Sequence, residues 1–141
     1  MSAAMRSHDE TLRSVVDDAG GIVFKHTGDG VIAAFASPLA ALEAAQAAQE
    51  QLALPVRMGL HTGEAELREG DYFGTTLNRG ARISDAGHGG QVLLSSATAA
   101  LLPGSELLEI GTYRLKGLDS PERIYQVGGD SFPELRVHHH V

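Results

Sequence analysis

Ile22-Val23-Phe24-Lys25-His26-Thr27-Gly28-Asp29-Gly30-Val31-Ile32-Ala33-Ala34-Phe35 reads as strand, turn and strand. Two apolar, β-branched runs flank a Gly-Asp-Gly turn, and strands joined so tightly pair antiparallel. A helical pattern lies on either side. Residues 6–18 put Leu12, Val15 and Val16 on one face and stop at Gly20-Gly21. Ser37 reads as an N-cap with Pro38 at the first helical position, and an Ala-, Leu- and Gln-rich run continues to about Ala53. Farther along, Pro55–His61 reads as a strand, followed by a polar stretch to Gly70 and a helix from Gly74 to near Gly87. Gln91–Leu94 is a short strand, and Ser95–Leu102 a short helix before Pro103-Gly104. Leu107–Leu115 and Ile124–Val127 are the last strands. Strands alternating with helices around one early hairpin give an α/β (α+β) sandwich, a largely antiparallel sheet covered by helices. Pattern alone leaves the strand order open. Residues 1–127 read as a single domain and residues 128–141 as a flexible tail, with no internal repeat.

Composition narrows the function. The 141 residues suffice for one domain with its own core, and 43% are apolar, ordinary for a globular chain. A net charge of −7 argues against a nucleic-acid surface, which needs clustered Lys and Arg. With no Cys there is neither a disulfide framework nor a thiolate metal site. Apolar runs fall far short of the ~20 residues of a membrane span. The opening residues lack the layout of a signal peptide. The expectation is a soluble, cytoplasmic protein.

Several residues carry possible chemistry. Asn78 and Arg82 are four apart in a helix and project from one face. An amide and a guanidinium so placed suit an oxyanion or phosphate, although the same spacing also describes a solvated polar stripe. Asp29 sits at a hairpin tip between glycines, either as turn chemistry or as a carboxylate free to hold a hard divalent ion. Lys25, on the strand before it, and Lys116, in Leu115-Lys116-Gly117, are equally compatible with solvated outward positions. His26 and His61, on strands, read as packing residues rather than ligands, and His138-His139-His140 as part of the tail.

Four segments taken in order resemble a class III nucleotidyl cyclase catalytic domain of bacterial type: GGIVFKHTGDGVIAAF (20–35), VRMGLHTGEAE (56–66), GDYFGTTLNRGARISDAGHGGQVLLS (70–95) and YRLKGLDSPERIYQV (113–127). The resemblance runs from about Ser7 to Val127. It implies a ferredoxin-like βαββαβ core with additional C-terminal elements, working as a head-to-tail homodimer with sites shared across the interface. It implies conversion of ATP or GTP to the 3′,5′-cyclic monophosphate and pyrophosphate, with Mg²⁺ or Mn²⁺ as cofactor. By the same resemblance Asp29 matches the second metal-binding aspartate, and Lys25 and Asp71 the pair that reads the purine edge. That Lys–Asp combination points to ATP over GTP. Asn78 matches the residue that orients the ribose, Arg82 the one that stabilises the transition state, and Lys116 the one that binds the terminal phosphates.

The opening residues depart from the family. Its members begin with an apolar strand that carries the first metal aspartate, whereas Met1-Ser2-Ala3-Ala4-Met5 leads almost directly into helix. Asp9, Asp17 and Asp18 fall in a helical pattern, so none inherits that role, and the first-metal strand is expected to be missing. Loss of a central strand exposes unpaired backbone on its neighbours. An upstream segment, a rearrangement or strand exchange within a dimer would meet that need. The alternative to an active adenylate cyclase is a catalytically impaired, cyclase-like module for nucleotide binding or regulatory dimerisation. Gly80, between Asn78 and Arg82, costs helix stability of ~1 kcal/mol relative to Ala unless a close contact requires it.

Overall fold

A helix starts where a side chain satisfies the free backbone donors of its first turn. In the computed structural model, which describes residues 2–27, 30–69, 71–137 and 139–140, Ser2 Oγ accepts from Met5 N at 3.1 Å and opens α1 (Ala3–Asp18). Ser37 Oγ accepts from Ala40 N at 3.3 Å, and Pro38 leads α2 (Pro38–Gln51). Between these helices lie β1 (Ile22–Thr27) and β2 (Gly30–Ala34). Then follow β3 (Met58–Leu60), β4 (Glu66–Arg68), β5 (Asp71–Phe73), α3 (Thr75–Ala86), β6 (Val92–Ser95), α4 (Ser96–Ala99), β7 (Leu107–Arg114), β8 (Glu122–Val127) and β9 (His139–His140). No helix among the described residues is long and apolar enough to cross a membrane.

By contact the chain groups into two compact units, Met1–Pro55 with Leu67–Tyr72, and Val56–Glu66 with Phe73–Val141. In the first, β1 and β2 pair antiparallel, with Thr27 opposite Gly30. Helix α1 packs on α2 and on both strands. Leu12, Val15 and Val16 from α1 and Leu42, Ala44, Ala45 and Ala48 from α2 are buried. Gly20, at φ +80°, closes α1, and Gly21 N donates to Val16 O at 2.9 Å. The left-handed conformation costs glycine no steric clash.

The second unit carries a five-stranded sheet in the order β3-β6-β8-β7-β9. Strand β3 runs parallel to β6, and the other neighbours pair antiparallel. All four residues of β6 are buried. Leu93 and Ile124 from the sheet meet Ile83 and Ala86 of α3 in one cluster with Tyr113, Leu115 and Leu135. Buried Gln91 Nε2 donates to Gln126 Oε1 at 2.8 Å, and Gln91 Oε1 accepts from His88 N at 3.0 Å, so the buried amide is satisfied at both ends.

The α+β class, the dominance of antiparallel pairing and most elements are as the sequence implies. Four features differ. Among the described residues strand hydrogen bonding makes three sheets, and β3 is an edge of the largest. The polar stretch before Gly70 contains β4, which pairs with β5. All three β4 residues are exposed, so no buried face imposed an alternating pattern. Residues 128–137 are not a loose tail. Gln126 Nε2 donates to Gly128 O and Asp130 O at 3.2 and 2.8 Å, Leu135 is buried, and Arg136 N donates to Ala86 O at 2.8 Å. Finally, His139 and His140 pair with β7, whereas His138 lies outside the described residues.

Candidate active site

Helix α3 shows two faces. Arg79, Ile83 and Ala86 recur at spacings of four and three and share the side turned to the core. A charge on that side needs a buried partner, and Arg79 Nη1 donates to Glu122 Oε2 at 2.8 Å, while Nη2 reaches Ser120 Oγ at 3.4 Å. Gly59 on β3 lets the helix approach closely: a Cβ there would stand 2.6 Å from Ser84 N. Backbone contact and ion pair together fix the helix on its sheet. Asn78 and Arg82 project from a different face.

Arg82 enters a recess of about 230 Å³ that Lys116, Asp85 and Arg136 also line. Its guanidinium lies beside Gly117, where a Cβ would meet Nε and Nη2 at 3.8 Å. Gly117 has φ +79°, which makes the turn after Lys116 a glycine position. Arg82 Nε is buried and has no hydrogen-bond partner among the described residues. An orphaned buried donor costs about 1–3 kcal/mol, which an anionic acceptor entering the recess would recover.

In the first unit, Lys25 Nζ stands 3.9 Å from Asp71 Oδ2, both side chains remaining accessible. Asp71 Oδ1 accepts from Tyr72 N at 2.9 Å, and the Tyr72 ring meets Phe24 edge-on, centroids 4.8 Å apart. The pair offers one donor and one acceptor side by side.

The two histidines expected on strands differ: His26 lies in β1, whereas His61 follows the end of β3. His61 Nδ1 lies 2.7 Å from Ser95 Oγ, and burial holds its pKa below the ordinary histidine value despite the nearby Glu122 carboxylate. His26 is exposed rather than packed. Its Nε2 lies 2.8 Å from Asp9 Oδ1, a hydrogen bond that lowers the pKa of Asp9, and Arg13 also reaches Asp9 at 3.2 Å. Gly80 answers no steric need, since a Cβ there would meet His61 Cβ at 3.6 Å, an ordinary contact.

Asp29 lies outside the described residues. Among the described residues no three His, Asp or Glu side chains converge as a metal-holding group.

The profile of the adenylate and guanylate cyclase catalytic domain matches residues 29–129. The chain belongs to this family. An uncharacterised protein of Mycobacterium tuberculosis is 38% identical over 150 aligned residues, covering 97% of this cyclase domain chain and 53% of the relative. The chain thus spans about half the length of that relative. A receptor-type adenylate cyclase of Trypanosoma equiperdum is 28% identical, covering all of this chain and 43% of its own. Among solved structures, an adenylate cyclase of Trypanosoma brucei in its monomeric state superposes with a TM-score of 0.83 at 26% identity, covering 96% of this chain and 84% of that one.

Of the residues singled out in the sequence of this cyclase domain, Lys25 and Asp71 meet in the first unit, and Arg82 and Lys116 share a recess in the second. Asn78 stands one turn before Arg82, exposed. Sequence reasoning missed Arg79, although its spacing to Ile83 and Ala86 places a charge on the core side. It also missed Arg136, which no periodicity marks.

Proposed function

We propose that this chain is the catalytic domain of an adenylate cyclase, converting ATP in preference to GTP into 3′,5′-cyclic AMP and pyrophosphate for cyclic-nucleotide signalling in the cytoplasm. The observation that carries the reading is the recess that Arg82, whose buried Nε has no partner among the described residues, lines together with Lys116. Cyclisation is an in-line attack of the ribose 3′-oxygen on the α-phosphorus, with pyrophosphate leaving. Negative charge accumulates on the phosphoryl oxygens, and a guanidinium whose Nε has no acceptor among the described residues stabilises it. Lys116 holds the terminal phosphates, and Asn78, on the exposed side of the same helix, orients the ribose.

Adenine offers an amino donor beside a ring acceptor. The Asp71 carboxylate accepts from the first and the Lys25 ammonium donates to the second, which supports the choice of ATP. Class III cyclases use divalent metals, and we assign Asp29 as a ligand of this chain for Mg²⁺ or Mn²⁺. Sites are shared across the interface of a head-to-tail homodimer.

Incubation with ATP or GTP and Mn²⁺, with mass-spectrometric detection of cyclic nucleotide, tests this. Wild-type chain should form cyclic AMP, and Arg82→Ala should lower turnover by about 10³-fold or more, as loss of an arginine does in phosphoryl transfer. Unchanged turnover in folded Arg82→Ala would refute the assignment. No cyclic product from either nucleotide would favour the nucleotide-binding or dimerisation module.

A further inference from the structure

We propose that Arg136 is a third cationic ligand of the Arg82–Lys116 recess and binds the diphosphate end of the nucleotide, the part released as pyrophosphate. The assignment rests on the cyclase reading of Arg82 and Lys116.

Arg136 is held in place from several directions. Its own amide donates to Ala86 O at 2.8 Å, at the last residue of α3, four positions beyond Arg82. The residue before it, Leu135, is 7% exposed and belongs to the core cluster. One position earlier, Glu134 O lies 2.7 Å from His88 Nε2. The Cα of Arg136 is therefore tied to the helix that carries Arg82, and the residue lines the same recess.

The chemistry of the lining selects the ligand. Three cations surround about 230 Å³, and the single acid there, Asp85, has Arg57 Nη2 3.6 Å from its Oδ1. Arg82 is half-buried, with Lys116 and Arg136 exposed beside it; an anion entering there offsets their like charge and offers Arg82 Nε the acceptor it lacks among the described residues. Apart from Asp85 the charged lining consists of donors, with no aromatic ring for a base to stack on. A purine edge needs a donor and an acceptor together, and a ribose gains little from three cations. Linked phosphates, each with several acceptor oxygens, match a donor-only recess.

Inorganic pyrophosphate, offered without divalent ions and followed by calorimetry on the full chain, isolates this site from base recognition and metal binding. Wild type should bind. Arg136→Ala should raise the dissociation constant about tenfold or more, the effect of losing one charge-assisted hydrogen bond, with its thermal midpoint held because the bond to Ala86 O is a backbone one. Arg123→Ala removes an exposed charge from β8, outside the recess, and should leave the constant within about twofold. If Arg136→Ala binds like wild type while Arg82→Ala and Lys116→Ala lose affinity, the Arg136 assignment is wrong and the cyclase reading stands. If Arg136→Ala and Arg123→Ala weaken binding equally, the effect is general charge and the assignment fails. If wild type itself does not bind, the assignment falls, and cyclic nucleotide formation decides separately whether the cyclase reading survives.

Discussion

Arg79 shows how a charge on the core side of a helix comes to depend on one partner. It sits on the core side of α3, with Glu122 as its partner, and both side chains are largely withdrawn from water, at 23% and 11% exposure. Removing one member of such a pair leaves the other charge buried and uncompensated, whereas replacing both with apolar groups of similar size is close to neutral. Arg79→Ala is therefore expected to lower unfolding free energy by about 3 kcal/mol. The double change Arg79→Met with Glu122→Leu should restore most of it. Urea denaturation of the two variants measures both values, and a double variant no more stable than Arg79→Ala would show that the pair is not what holds α3. The site was partly legible at this level. Asn78 and Arg82 stood out as candidates because helical spacing puts them on one face, and Lys25, Asp71 and Lys116 because family motifs surround them. Arg136 was not, because a backbone bond to Ala86 and a contact made by Leu135 are long-range facts that leave no local pattern.

The seat of α3 on β3 gives two glycines opposite meanings. At Gly59 a Cβ would press into the backbone of Ser84 at 2.6 Å, and backbone has nowhere to go. At Gly80 the nearest outside atom to a Cβ is His61 Cβ at 3.6 Å, so alanine fits. Gly59→Ala should therefore destabilise the chain by about 2 kcal/mol, through overpacking that pushes helix from strand. Gly80→Ala should stabilise it by about 1 kcal/mol, since alanine is the better helix former. Thermal melts of the two variants moving in the same direction would contradict this account of the packing. Elements with a buried face or a capped end were readable: Ser37-Pro38 announced α2, and Gly87 marked the end of α3. Elements lacking both were not. β4 exposes every residue, and β9 exists only through its pairing with Tyr113 and Arg114. The division into separate sheets was equally invisible, because partner choice is set by topology and not by composition along a strand.

For the molecule acting as an assembly, the decisive property of the proposed homodimer is that each site draws on both chains. Symmetry then gives two equivalent sites per dimer. If Asp29 serves a site from one protomer and Arg82 from the other, Asp29→Ala and Arg82→Ala homodimers each lose both sites, for different reasons. In a mixed dimer one site receives both defects and the other receives neither. Random exchange of equal amounts makes half the dimers mixed, each with one intact site of two, so the mixture should recover about one quarter of the wild-type rate. The recovery should develop with the time of subunit exchange and fade on dilution, because it depends on association and not on either chain alone. Turnover of ATP measured before and after mixing tests the arrangement. Two folded, dimeric variants that stay silent when mixed would place Asp29 and Arg82 in the service of the same site from the same chain, and would rule out the division of labour on which the shared-site mechanism depends.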